Sequence, residues 1–155
     1  MSNGFEIPPL VTVESLMITD VHSITVDMTV KASIGLLLKF GISGAPVIDS
    51  VKKAISIVSQ SDLMRLATTK GLTALIGSNL NLLPPSNKLI TLSKGATFAE
   101  LYRKFLAHPV HRIIIVDGNG RLQGLVSRST VLKVLFGPQK TKEQDVKIKT
   151  DKKSA

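Results

Sequence analysis

The chain has 155 residues, 43% of them hydrophobic, and a formal charge of +9 from 20 Lys and Arg against 11 Asp and Glu. Such a length buries roughly 70% of its unfolded surface, as one domain or as two small packed half-domains, and five Phe, one Tyr and no Trp leave the core to Ile, Leu and Val. Without cysteine there are no disulfides, thiol chemistry or iron–sulfur clusters; with no signal-peptide pattern in MSNGFEIPPL and no apolar run of the ~20 residues that span a bilayer, a soluble cytoplasmic protein without membrane insertion is expected.

Residues 1–10 read as an arm ending in Pro8-Pro9, an extended step. Val11 to Met17 is a short apolar helix or strand, and Ser23 to Val26 a short strand. Asp27 or Thr29 caps a helix in which Val30, Ile34, Leu37 and Leu38 recur at helical spacing; Gly41 ends it in left-handed backbone. Ala45 to Asp49 and Ala54 to Val58 are strands around a turn, and Ser59 opens a helix through Leu63, Met64 and Leu66. Ala67 to Lys88 is an irregular connection with a partly buried helix, terminated by Pro84-Pro85. Leu89 to Leu92 is a strand. Thr97 and Glu100 form a capping box for a helix carrying Phe98, Leu101, Phe105 and Leu106, which His108-Pro109 stops. Ile113 to Val116 and Leu122 to Val126 are strands joined by the turn Asp117 to Gly120, and Ser127 caps a helix through Val131, Val134 and Leu135. Pro138 to Ala155 carries six Lys against three acids, a local +3 that leaves +6 on the body, and has no periodicity.

A shift of 68 residues lays the first half on the second without a gap. Thr25 falls on Ser93, Thr29 on Thr97, Gly41 on Pro109, Val47 to Asp49 on Ile115 to Asp117, Ile57 to Ser59 on Leu125 to Ser127, and Ser61 on Ser129. The chain is therefore two β-α-β-β-α repeats, an α+β fold. A unit of about 50 residues buries its own sheet face poorly, so the copies should pack about a pseudo-two-fold axis with equivalent clefts on either side. The expected divisions are an arm at 1–10, a first repeat at 11–68, a linker at 69–86, a second repeat at 87–137 and a Lys-rich tail at 138–155.

The segments ISGAPVID and ISIVSQSDLM in the first copy, with VHRIIIVD and LQGLVSRSTVL in the second, resemble a tandem pair of CBS domains, or Bateman module, over roughly Val11 to Gly137. The resemblance implies a regulatory module that binds adenosine nucleotides, S-adenosylmethionine or cyclic dinucleotides between its copies, forms a homodimer and acts on a partner protein. In that family the pattern small-apolar-apolar-Ser/Thr-x-x-Asp puts a hydroxyl near phosphate and the Asp on the ribose. Here it implies Ser59 and Asp62, with Ser56 where Gly is usual; the alternative reading of the same pair is a capping box. The second copy has Ser127, Arg128 and Thr130, with no carboxylate at the Asp position, so its site is expected to be degraded or differently used, with Arg128 able to meet a phosphate instead.

His111 and Arg112 precede the central strand of the second copy, from which similar proteins reach phosphate, and Ser43-Gly44 stand at the equivalent positions of the first. One copy thus offers the ribose acceptor and the other the positive charge. Alternatively the pair is a solvated basic step at a strand edge, and His108 is a helix C-terminal residue favoured by the dipole. An adenine slot is expected from Ile24, Thr25, Ala45 and Pro46 with Val58, residues whose other role is core and strand edge; His22 is placed either to stack on a base or to face solvent.

No constellation supports catalysis. There is no Cys nucleophile, the serines lack base and acid partners, and the three His share no metal-binding spacing. Gly118-x-Gly120 joins two strands and opens no helix, so it is a turn. The expected function is an AMP, ADP or ATP sensor with no catalytic cofactor, Mg²⁺ with the phosphates being left open. The alternatives are a dimerisation module with vestigial clefts, a binder of S-adenosylmethionine or a cyclic dinucleotide and, more weakly, nucleic-acid binding through the Lys-rich tail.

Overall fold

Four hydroxyls fix where the long helices start. Thr29, Ser59, Thr97 and Ser127 hold extended backbone, and each side chain accepts from an N–H of the first turn, at Ala32, Asp62, Glu100 and Thr130 respectively. A computed structural model describes residues 11–83 and 89–137; the arm, Pro84-Pro85 and the Lys-rich tail lie outside the described residues. The elements are α1 (Val13–Leu16), β1 (Ile24–Thr25), α2 (Val30–Phe40), β2 (Gly44–Ile48), β3 (Ala54–Ser59), α3 (Gln60–Thr69), a 3-10 helix (Gly77–Leu82), β4 (Thr91–Ser93), α4 (Phe98–Ala107), β5 (Arg112–Val116), β6 (Leu122–Ser127) and α5 (Arg128–Phe136). Thr29 rather than Asp27 caps α2, and Gly41 closes it at φ 62°.

The strands form two three-stranded sheets, β1-β2-β3 and β4-β5-β6, each with a parallel pair followed by an antiparallel hairpin. The registers repeat under the 68-residue shift. Gly44 opposes Ser59 as Arg112 opposes Ser127, and the irregularity at Val47/Ile48 recurs at Ile115/Val116. Both hairpins turn on an aspartate. Asp49 accepts from the N–H groups of Val51 and Lys53, and Asp117 from those of Asn119 and Arg121. The bond from the Arg121 N–H, with lesser help from the Asn119 N–H and the nearby guanidinium, holds the Asp117 carboxyl below its ordinary range against the opposing effect of desolvation.

The two copies meet through reciprocal bonds. Ala54 N–H donates to the Gly120 carbonyl (3.0 Å) and Leu122 N–H to that of Lys52 (2.9 Å), while Lys53 pairs with Arg121, its own image under the shift. The pseudo-two-fold axis passes between those two residues.

Each core is completed by a segment that sequence order assigns elsewhere. Ile76, 1% exposed, packs with Ile24, Val30, Leu37, Val47 and Leu63 in the first core, joined by Leu80 and Leu83, and Gly77 N–H donates to the Val26 carbonyl. The connection after α3 is therefore a wall of the first copy. Conversely, Val13 packs in the second core with Phe98, Leu101, Ile113 and Val126, and Ile18 exchanges both backbone bonds with Leu125 (2.8 and 3.0 Å). Apolar burial explains the exchange, since each small sheet gains a cover that its own two helices do not supply.

Candidate functional site

Between the copies lies a cleft of about 320 Å³, with Ile57, Val58, Ser59 and Ser61 on one side and Ile90, Pro109, Val110, His111, Arg112 and Ile114 on the other. Antiparallel pairing of Gly44 with Ser59 brings the end of β3 beside the start of β2, so the N-terminus of α3 opens into this space. Arg112 enters from β5 of the other copy. Its Nη2 donates to Ser43 Oγ at 3.0 Å, and burial pushes its pKa below the ordinary guanidinium value. Among the described residues the ion pairs are Arg65 with Asp62 and Arg121 with Asp117, and neither involves Arg112. A half-buried guanidinium with a hydroxyl as its side-chain partner keeps most of its five donors for an anion. His111 is exposed beside it, its Nδ1 2.9 Å from Arg128 Nη2, and the Arg128 N–H donates to the His111 carbonyl.

The structure therefore brings together Val58, Ser59, His111 and Arg112, with Arg128 reached through His111. The other expected residues stand apart from this cleft. Asp62 is 1% exposed: Oδ2 accepts from the Ser59 N–H and hydroxyl, both at 2.8 Å, and Oδ1 from Arg65 at 2.7 Å. This carboxylate takes part in the α3 capping box, and it is not among the cleft-lining residues. Ile24, Ala45 and Pro46 are buried, Ile24 and Ala45 in the first core, and Thr25 bonds to Asp27. None of these four lines the cleft. The alternative core and strand-edge role fits them because β2 is the central strand of its sheet. Ser127 caps α5, with Thr130 Oγ1 at 3.0 Å from its hydroxyl.

His22 is partly exposed, and its ring stacks on Phe40 with centroids 3.6 Å apart. The apolar cleft walls, Ile57, Ile90, Pro109, Val110 and Ile114, were not singled out by sequence reasoning, nor was Ser61. The repeat held the missing signal: Ile90 is the image of His22 and Ile114 that of Pro46, so the slot sought in the first copy has its counterpart in the second. Among the described residues no group of three His, Cys, Asp or Glu could hold a metal ion, and no helix is long and apolar enough to cross a membrane.

A family model of the CBS domain matches residues 13–68 and 81–137. Inosine-5'-monophosphate dehydrogenase of Aquifex aeolicus is 28% identical over 131 residues, 84% of this chain and 26% of the relative, so the chain spans about a quarter of the length of such curated relatives. CBSX2, a CBS-pair protein of Arabidopsis thaliana, has been solved in complex with AMP; that structure superposes with a TM-score of 0.66 at 22% identity, covering 79% of this chain and 94% of the other. CbpB in complex with c-di-AMP gives 0.65 at 22% identity, with 81% and 84% covered. At these identities the structures establish a shared fold.

Proposed function

The chain belongs to the CBS-domain family and carries two copies of the domain, and from that premise we propose that it is a non-catalytic regulatory module that senses an adenine nucleotide and acts on a partner protein. One observation carries the reading: the cleft between the copies joins the α3 N-terminus and the Ser59 hydroxyl of one copy to Arg112 and His111 of the other. Helix N–H groups and a guanidinium favour phosphate, and the flanking Ile57, Ile90 and Ile114 offer an apolar wall for a base. The AMP and c-di-AMP complexes of similar folds support a nucleotide ligand. Isothermal titration with AMP, ADP, ATP, S-adenosylmethionine and c-di-AMP is the test. An adenine mononucleotide should bind at submillimolar concentration; absence of binding by any of the five to folded protein would refute the reading and leave a dimerisation module. Repeating the titration with and without Mg²⁺ decides whether the ion accompanies the phosphates.

A homodimer completes the proposal. Leu38 and Met64 are 72% and 69% exposed, and their images Leu106 and Leu132 are 71% and 60% exposed, so both copies present the same apolar pair from their two helices. A patch repeated about a two-fold axis is self-complementary toward a second copy of the chain. Leu106→Lys with Leu132→Lys should shift the protein from dimer to monomer in sedimentation. A monomeric wild type, or an unaltered dimer in the variant, would remove this part of the proposal.

A further inference from the structure

Positions 44 and 112 are images of one another, yet one is glycine and the other arginine, and they are in contact. A Cβ on Gly44 would lie 2.9 Å from Arg112 Nη1, 2.9 Å from the Val58 carbonyl oxygen and 3.4 Å from the Ser59 Cα. The guanidinium is thus seated on bare backbone beside the residue that caps α3. Ser43 fixes its other end through the 3.0 Å bond to Nη2. Both anchors come from the opposite copy, and they set the direction of a long side chain that would otherwise sample many rotamers.

We infer that Ser43 and Gly44 are positioning residues: together they form a step that docks Arg112 over the α3 N-terminus, as the phosphate donor of a single anion site in each chain. The inference rests on the nucleotide reading of the cleft and adds how its charge is placed. The geometry is self-limiting. The seat requires the smallest residue at 44, so the first copy cannot also supply an arginine there to the image cleft, where Ser43 and Gly44 stand in place of His111 and Arg112. Met17 and Ile18 moreover lie over Gly124 and Leu125 on that side, with the Ile18 carbonyl oxygen 2.7 Å from where a Cβ of Gly124 would be.

The test is titration of the full chain with AMP, and with adenosine as a probe that lacks the phosphate. Wild type should bind one AMP per chain. Gly44→Ala should weaken AMP at least tenfold and Ser43→Ala roughly threefold to tenfold, the size of one lost hydrogen bond, while adenosine binding changes by less than twofold. In an Arg112→Ala background neither substitution should alter AMP affinity further, which separates positioning from a merely structural role. Gly44→Ala also crowds the Val58 carbonyl, so Ser43→Ala, at an exposed hydroxyl, is the variant that decides if Gly44→Ala does not fold. Wild-type AMP affinity in Ser43→Ala, parallel losses of adenosine, persistent effects without Arg112, or two equal AMP sites per chain would overturn the inference while leaving the nucleotide reading intact. A wild type that binds no nucleotide would instead remove that reading and this inference together.

Discussion

Asp62→Ala should lower the unfolding free energy by about 2–4 kcal/mol, while Thr130→Ala at a comparable place in the second copy should cost about 1 kcal/mol or less. The carboxylate of Asp62 is buried and, among the described residues, accepts from the Ser59 N–H, the Ser59 hydroxyl and Arg65. Removing it ends the reciprocal half of the α3 capping box and leaves the Ser59 N–H, part-buried, without its carboxylate. Arg65 is half exposed and recovers water, so its share of the loss is small. Thr130 lends only a hydroxyl to Ser127. Urea denaturation at constant m-value measures both costs. Asp62→Asn keeps one acceptor and should fall between wild type and alanine. A ribose role makes the opposite forecast: Asp62→Ala would unfold at the wild-type urea concentration and lose ribonucleotide affinity, and that outcome would reject the cap as the function of this carboxylate.

The contrast between Asp62 and Arg112 shows what was legible in the sequence. Helix caps are local, so Thr97, Ser127 and the terminating Gly41 could be read from three or four neighbouring residues, and the structure has them there. The 68-residue repeat carried the succession of strands and helices in each copy, and the structure repeats one hairpin register under the same shift. It also suggested a cleft charged from the second copy. Partners far apart in the chain were hidden. Nothing near Ile76, in the expected linker, or Val13, in the expected first repeat, indicates which of the two cores each joins. Nothing near Gly44 indicates a guanidinium 68 positions away, because the reason for that glycine is another residue's volume. The motif Ser-x-x-Asp fits both a cap and a ribose acceptor, and only the burial and hydrogen bonds of Asp62 distinguish them.

Arg112→Ala should weaken AMP binding by about 10- to 100-fold, corresponding to the ~1.5–3 kcal/mol of charge-assisted hydrogen bonds to phosphate, and should leave adenosine nearly unaffected. The guanidinium is half-buried, has no carboxylate among its described ion-pair partners, and is held at Ser43 over a helix N-terminus. Burial disfavours its charged form, but a guanidinium remains protonated throughout the physiological range, so the cleft keeps its charge and AMP binding should not depend on titration of this group. Arg112→Lys should recover only part of the affinity, because an ammonium cannot reach Ser43 and the phosphate with a planar fork. Folding should move the other way. Removing a partly desolvated charge that no acid compensates should leave stability unchanged or raise it by up to about 1 kcal/mol, despite loss of the Ser43 bond. Titration with AMP at two salt concentrations, together with urea denaturation, separates the cases. A variant with wild-type AMP affinity and lowered stability would make Arg112 a strut between the copies. A variant of unchanged stability, weak for AMP and with a shallower salt dependence, would identify it as the group that meets the phosphate.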